Sequence, residues 1–260
     1  MVIAIGTNVL FLLKSIREIC AFKVTKTMLN NQIKTIAFDA DDTLWQNEAF
    51  FREAEQQFYQ LIQDYHLNDD IAAQLLAIEL KNLPLYGYGI KGFMLSMLEV
   101  VTTLSGSHIT GELIQAVLSI GQEMLKKPVD LLPGVEETLR RLQKDYRLIV
   151  ATKGDLLDQE RKIERSGLQS YFDHIEIMSD KKPANYQQLL AKIDCKAEEF
   201  LMVGNSVKSD IVPVITIGGF AAHIPHHITW AHEQHEAPLA SSKHLELTQL
   251  NQLITQLTHA

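Results

Sequence analysis

The sequence is poor in cysteine, with only Cys20 and Cys195 among its 260 residues. Their separation matches no metal-binding spacing, which argues against a disulfide scaffold and against a cysteine-based zinc site. A reducing cytoplasm is the expected location. The chain also lacks an excess of positive charge: its net charge is -8 and its pI about 5.7. This argues against nucleic acid or an anionic membrane as the main partner.

Long hydrophobic runs are absent as well. The longest apolar stretch near the start, "VIAIGTNVLFLL" at 2–13, is too short to span a bilayer as a helix. No positive region precedes it and no small-residue cleavage site follows it. We expect residues 1–30 to form an N-terminal extension, with the fold starting near Ile33; a signal anchor is the alternative interpretation.

What the sequence does contain is a series of short apolar runs rich in β-branched residues. They are "IKTIAFD" (33–39), "RLIVAT" (147–152), "HIEIM" (174–178), "FLMVG" (200–204) and "FAAHIP" (220–225). Near-continuous apolar character is typical of strands covered on both faces. Helix-like segments lie at 134–145, 155–167, 183–193 and 209–218. This alternation predicts an α/β fold, a doubly wound (Rossmann-like) parallel sheet of five strands.

One connection breaks this alternation. Residues 46–128 are dominated by helix formers with apolar residues at spacings of three and four. We predict four helices, at about 47–65, 69–82, 90–104 and 109–126. They would form an inserted helical cap, leaving residues 31–45 and 129–260 as the catalytic core. The tail "LELTQLNQLITQL" is predicted to be a closing helix.

Polar side chains cluster where the predicted strands end, the edge at which open parallel sheets bind ligands. The first strand runs into "DADDT" (39–43), and the others into "TKGD" (152–155), "SDKK" (179–182) and "GNS" (204–206), with Asp210 beyond. So many carboxylates at one edge would repel each other without a cation. Mg²⁺ prefers hard oxygen ligands and keeps positions open for water and phosphate, so we expect a magnesium site here.

The segment "FDADDTL" resembles the first motif of the haloacid dehalogenase superfamily, in which two aspartates two residues apart are followed by a threonine. The similarity continues through Thr152, the lysine pair and "VGNSVKSD", in the order and spacing of that family, over about residues 33–225. A large helical insert directly after the first motif is similar to the helical cap class of the family.

This resemblance implies roles for the first cluster of acids. Asp39 would be the nucleophile that forms an aspartyl-phosphate. Asp41 would be the general acid and base, with its backbone carbonyl on the metal. The dehalogenases of the family lack this second aspartate, so its presence favours phosphoryl transfer. Thr43 would brace the turn, and Asp42 is expected to be a solvated loop acid.

The resemblance also implies a phosphate site. Thr152 would bind a phosphate oxygen, with a helix cap as its alternative role. A lysine would neutralise the transferring group. Lys182 precedes a proline, as in the common form of the motif, whereas Lys181 has the better distance to Tyr186, so both remain candidates with a slight preference for Lys181.

The predicted metal ligands are Asp39, Asp41, Asn205 and Asp210. The family usually has an acid after the glycine of the last motif, and this chain has Asn205. An asparagine oxygen still binds Mg²⁺, but with one negative charge fewer. A catalytically weakened regulatory or binding relative is therefore one alternative.

Two further segments contain residues of the kinds found in binding motifs. "GYGIKG" (87–92) matches the dinucleotide-binding pattern by letter but follows no strand, so we read it as a cap loop from which Lys91 is placed to reach a substrate anion. The histidines at 223, 226, 227, 232 and 235 match no strong metal template, and a polar loop is expected.

The predicted function is an Mg²⁺-dependent phosphatase for a small phosphorylated metabolite, with the cap closing over the site. The same machinery would serve a phosphomutase, which is the second alternative. No nucleic acid or membrane partner is expected, and the oligomeric state is left open.

Overall fold

The computed structural model describes residues 32–63, 70–105, 109–228, 230–233 and 241–257. Its centre is a parallel sheet with strand order β3-β2-β1-β4-β5-β6. The strands are β1 (Thr35–Phe38), β2 (Arg147–Lys153), β3 (His174–Met178), β4 (Phe200–Gly204), β5 (Phe220–His223) and β6 (His244–Glu246). The order reverses direction at β1, which places the end of this buried strand at the crevice where open sheets bind ligands.

The five predicted strands are confirmed, but the sheet has a sixth. β6 covers the first part of the tail that was predicted to be helical, and the helix that follows is restricted to Gln252–Leu257. Leu245 and Leu247 are both buried, as are Leu250 and Leu253. Leucines two apart therefore belong to an edge strand here, although the whole segment also fits a helical spacing.

The helices beside the sheet follow the predicted segments closely. They are α5 (Val135–Leu142), α6 (Leu156–Ser166), α7 (Pro183–Lys192) and α8 (Val212–Thr216), with α9 (Gln252–Leu257) at the end. The predicted helix at 209–218 is divided, because a π-helical turn at Val207–Ile211 precedes α8. Such turns are uncommon and concentrate at functional sites.

Four helices form the insert between β1 and α5: α1 (Glu48–Gln63), α2 (Ile71–Tyr86), α3 (Ile90–Ser105) and α4 (Gly111–Lys126). Phe58 and Ile62, one turn apart on α1, are fully buried in an apolar cluster made only of insert residues. The insert thus has a core of its own. Its assignment as a separate cap domain, with boundaries at 46 and 128, stays a prediction, and the predicted extension at 1–30 lies outside the described residues.

The two chain segments that connect the insert to the sheet are paired. Gln46 donates its backbone N–H to Asp130, and Leu132 donates to Leu44, both at 2.9 Å. Trp45 bridges to Leu131 between these bonds and is almost fully buried. The chain therefore enters and leaves the insert through one hydrogen-bonded pair of segments.

None of the helices that the structure describes is both long enough and apolar enough to cross a bilayer.

Asp42 is not the solvated loop acid that was expected. Only 7% of it is exposed, and its carboxylate accepts the backbone N–H groups of Asn47 and Glu48 at 2.9 and 3.0 Å. These are otherwise unsatisfied donors at the start of α1, so Asp42 caps that helix. Its φ of 58° is in the left-handed region, which aspartate tolerates better than most residues.

We predict that Asp42→Ala lowers the free energy of unfolding by about 2 kcal/mol, because two buried N–H groups lose their acceptor. Asp70 provides the matched control: it also has a positive φ and caps α2, but it is exposed and accepts one N–H at 3.3 Å. Asp70→Ala should therefore cost less. Denaturant unfolding of both variants measures the difference, and equal losses would contradict the cap assigned to Asp42.

Candidate active site

A cavity lies at the carboxyl ends of the strands, between the sheet and the insert. Strand register places Phe38 beside Val150 of β2 and Val203 of β4. The residues at and just past the ends of these strands therefore converge, and Asp39, Thr152 and Asn205 all line the cavity. This convergence was expected from the sequence, because open parallel sheets bind ligands at the carboxyl ends of their strands.

Lys181 is the centre of a buried ion-pair network. Its Nζ donates to Asp39 Oδ1 at 2.5 Å and to Asp210 Oδ1 at 2.6 Å. The side chains of Lys181 and Asp210 are each 1% exposed, and that of Asp39 is 9% exposed. A buried lysine between two carboxylates can neutralise only one negative charge, so a second cation fits the electrostatics of this group.

The charges in this network shift each other's proton affinity. Burial raises the pKa of Asp39 to about 7, against the opposing effect of Lys181. Burial alone would lower the pKa of Lys181, but the carboxylates of Asp210 and Asp39 outweigh it and raise that pKa to about 12. Lys181 is thus firmly charged, and burial is the main opposition to ionisation of Asp39, which a further cation beside it would offset.

Asp210 is held on both of its carboxylate oxygens. Oδ1 accepts from Lys181, and Oδ2 accepts the backbone N–H of Ser206 at 3.0 Å. A methyl group on Gly204 would lie 2.2 Å from Asp210 Oδ2, so only glycine leaves room for this carboxylate. These bonds position Lys181 and the loop after β4, and the role of Asp210 as a metal ligand stays a prediction.

The oxygen atoms available to a metal surround Thr43. Its hydroxyl lies 3.3 Å from Asp39 Oδ2 and 3.4 Å from Asn205 Oδ1. A hydroxyl has one proton and satisfies one of these two acceptors at a time. The remaining acceptor, an uncharged asparagine oxygen or a carboxylate oxygen, is the type of hard donor that Mg²⁺ prefers, so the donor set fits this ion.

Asp41 accepts hydrogen bonds from three side chains. Trp45 Nε1 donates at 2.8 Å, Gln159 Nε2 at 2.7 Å and Lys162 Nζ at 2.7 Å. Gln159 and Lys162 are on α6, directly after β2, and both line the cavity. Neither residue was predicted from the sequence: a spacing of three places them on one helix face, but it does not indicate that this face contacts Asp41.

Thr152 is where the resemblance placed it. It is 1% exposed, lines the cavity, and its Oγ1 has no hydrogen-bond partner within the described structure. It does not cap α6, because Asp155 does so by accepting from Asp158 N at 3.1 Å. A buried hydroxyl without a partner costs free energy, and a phosphate oxygen would supply the missing acceptor.

Two other lysines lie away from the reacting groups. The side chain of Lys182 is 74% exposed and pairs with Asp180, so the structure separates it from Asp39 and leaves Lys181 as the site lysine. Lys91 pairs with Asp155 at 2.8 Å and is 48% exposed. Its predicted contact with a substrate anion is not favoured by this position.

Glu233 is a further residue that the sequence did not reveal. Its carboxylate accepts from Ser206 Oγ at 2.5 Å and Ser209 Oγ at 2.6 Å, and it forms a short ion pair with Lys153. Burial opposes its ionisation, but Lys153 and the two serines lower the pKa of Glu233 to about 2. It therefore fastens the segment at 230–233 to the loop after β4.

The strand order, the two aspartates after the central strand and the buried lysine bonded to the first of them fit the hydrolase family that the sequence resembles. A model of the haloacid dehalogenase-like hydrolases matches residues 33–213. The chain belongs to this family.

Individual relatives agree with this assignment. The chain is 24% identical over 223 residues to N-acylneuraminate-9-phosphatase of Mus musculus, covering 82% of this chain and 88% of that protein. It is 32% identical over 93 residues to glyceraldehyde 3-phosphate phosphatase of Pyrococcus furiosus, covering 34% and 39%. A solved haloacid dehalogenase-like hydrolase from Xanthomonas campestris is 38% identical, with a TM-score of 0.75 and coverage of 84% and 88%.

The adjacent lysines offer a direct test of the buried network. We predict that Lys181→Met lowers the free energy of unfolding by about 3–5 kcal/mol, because two buried carboxylates lose their counter-charge. Phosphatase activity should fall by a factor of about 100 or more. Lys182→Met is the matched control and should change neither quantity noticeably. Comparable effects of the two variants would contradict the assignment of Lys181.

Proposed function

We propose that this protein is an Mg²⁺-dependent phosphatase that hydrolyses a small phosphorylated metabolite through an aspartyl-phosphate. The observation that carries the proposal is the environment of Asp39. Its carboxylate is buried at the end of the central strand, bonded to Lys181, and faces a cavity that also contains the unpartnered hydroxyl of Thr152. This arrangement suits a nucleophile that attacks an anionic phosphoryl group.

In this mechanism Asp39 attacks phosphorus, and the bond to the leaving oxygen breaks as the new one forms. Lys181 and Thr152 hold phosphoryl oxygens through charge and hydrogen bonding. Asp41 gives a proton to the leaving alcohol and later takes one from the water that hydrolyses the aspartyl-phosphate. Trp45, Gln159 and Lys162 hold the Asp41 carboxylate in place for both steps.

The metal would be held by Asp39, Asn205, Asp210 and the backbone carbonyl of Asp41. Bound there, Mg²⁺ would favour the ionised Asp39 carboxylate and neutralise charge on the phosphoryl group. Two of the relatives named above are phosphatases, which favours hydrolysis over a phosphomutase or a regulatory relative.

We predict that Asp39→Asn abolishes Mg²⁺-dependent phosphate release from an aryl phosphate, because an amide cannot form the aspartyl-phosphate. Asp42→Asn keeps an oxygen acceptor for the α1 cap and should retain activity. Acid-quenched protein should carry a phosphoryl group on the peptide containing Asp39. Activity that survives in Asp39→Asn, or that persists at full rate in a chelator, would defeat the mechanism.

The insert supplies the wall of the cavity opposite Asp39. Phe51 and Phe93 are apolar members of this wall, whereas Glu79, Asn82 and Ser96 are polar. Burial, with further effects from Glu55 and Glu48, raises the pKa of Glu79 to about 8. The Glu79 carboxyl has no hydrogen bond or ion pair within the described structure.

A carboxyl group that lines a substrate cavity without a partner is suited to hydrogen-bond the substrate, and a carboxyl with a raised pKa both donates through its O–H and accepts through its carbonyl oxygen. We infer that the alcohol part of the substrate carries neutral polar groups that can do the same, such as hydroxyl groups, at the end remote from the phosphate. The apolar rings beside Glu79 would cover the carbon skeleton.

We predict that Glu79→Leu, which removes the polar group at similar size, raises KM for a hydroxylated sugar phosphate about 3- to 10-fold, the effect of one hydrogen bond. KM for an aryl phosphate without hydroxyl groups should stay unchanged. Glu123→Leu is the matched control, since Glu123 is on the same insert with its side chain 65% exposed. Equal changes for both substrates would show that Glu79 acts on folding rather than on recognition.

A further inference from the structure

Strands β5 and β6 bring together three side chains that play no part in the proposed phosphatase chemistry. His223 is paired in register with Glu246, and His244 is two residues before Glu246 on the same strand. Cross-strand partners and residues two apart lie on the same face of a sheet. The ligand atoms of His223, His244 and Glu246 accordingly lie within 4.8 Å of one another.

The two imidazoles flank one carboxylate. His223 Nδ1 is 2.8 Å from Glu246 Oε1, and His244 Nε2 is 3.1 Å from Glu246 Oε2. The imidazoles are largely buried, with side chains 12% and 13% exposed, whereas the Glu246 side chain is 57% exposed. The group thus has a buried nitrogen side and a side open to water.

The hydrogen-bond partners of the two imidazoles differ. His223 Nε2 lies 3.1 Å from the backbone oxygen of Asn205, which can only accept, so this nitrogen carries a proton. In the neutral ring, Nδ1 then presents a lone pair to a carboxylate oxygen. His244 Nε2 is also buried and makes no hydrogen bond of acceptable geometry in the described structure.

Two imidazole nitrogens and a carboxylate oxygen so close together are the kinds of ligand that bind one metal ion. A single divalent ion placed among them would contact all three. The bond from His223 Nε2 to a carbonyl is also the outer contact that orients most metal-binding histidines.

We propose that His223, His244 and Glu246 form a Zn²⁺ site, separate from the oxygen-lined site at Asp39. Two imidazole nitrogens and one carboxylate suit zinc, whereas Mg²⁺ prefers oxygen ligands. The exposed side of Glu246 leaves a fourth position for water. The site joins the edge strand β6 to β5, and through His223 it reaches the backbone of Asn205 in the catalytic loop.

The test is zinc titration of the untagged, chelator-treated full chain by calorimetry, with Mg²⁺ in excess to occupy the oxygen site. We expect one Zn²⁺ per chain and a higher melting temperature with zinc. Substituting Co²⁺ should give the absorption bands of a four-coordinate ion. His244→Gln and Glu246→Gln should each weaken zinc binding at least tenfold, while circular dichroism and Mg²⁺-dependent phosphatase activity show that the variants are folded.

The matched control is His174→Gln. His174 and Glu176 form a similar pair two residues apart on β3, with His174 Nε2 2.7 Å from Glu176 Oε2, and they belong to no three-ligand group. This variant should bind zinc as the parent does. Failure of the parent to bind zinc in excess Mg²⁺, or equal loss in His174→Gln and His244→Gln, would overturn the proposal. Glu246 is mostly exposed, so Glu246→Gln is expected to fold even if His244→Gln does not. The zinc affinity of Glu246→Gln then tests the proposal by itself.

Discussion

The arrangement of the active site depends on one buried cation, the ammonium group of Lys181. It lies between Asp39 and Asp210, and all three groups are removed from water. Carboxylates so close together would repel each other strongly in this environment, and a lysine with a raised pKa offsets that repulsion. Asp210 in turn fixes the loop after β4 through Ser206, so the same charge that serves Asp39 also orders the backbone around Asn205.

The sheet explains why residues so distant in sequence meet here. β1 is central, and its neighbours β2 and β4 run parallel to it, so all three strands end at one edge. This topology alone is enough to bring together Asp39, Thr152 and Asn205. Every strand before β6 was recognisable because its apolar run is short and bounded by polar residues, whereas β6 has three residues at the sheet edge and gives little signal.

Contacts made by side chains across long separations could not be predicted in this way. Gln159 reaches Asp41 across 118 residues, and Glu233 reaches Lys153 across 80. Neither contact leaves a local pattern, because it depends on how a helix or loop is seated on the sheet. Asp42 was misread for another reason: it caps α1 from six residues before Glu48, whereas a cap is normally sought immediately ahead of the helix.

The paired segments at 44–46 and 130–132 have a mechanical consequence for substrate entry. Two independent linkers would let the insert twist, slide and tilt, whereas two segments bonded to each other restrict such movements. Asp42 adds a further attachment, because it is bonded to the first turn of α1 and lies three residues from Asp39. Any movement of the insert that opened the cavity would therefore act on the loop that carries Asp39.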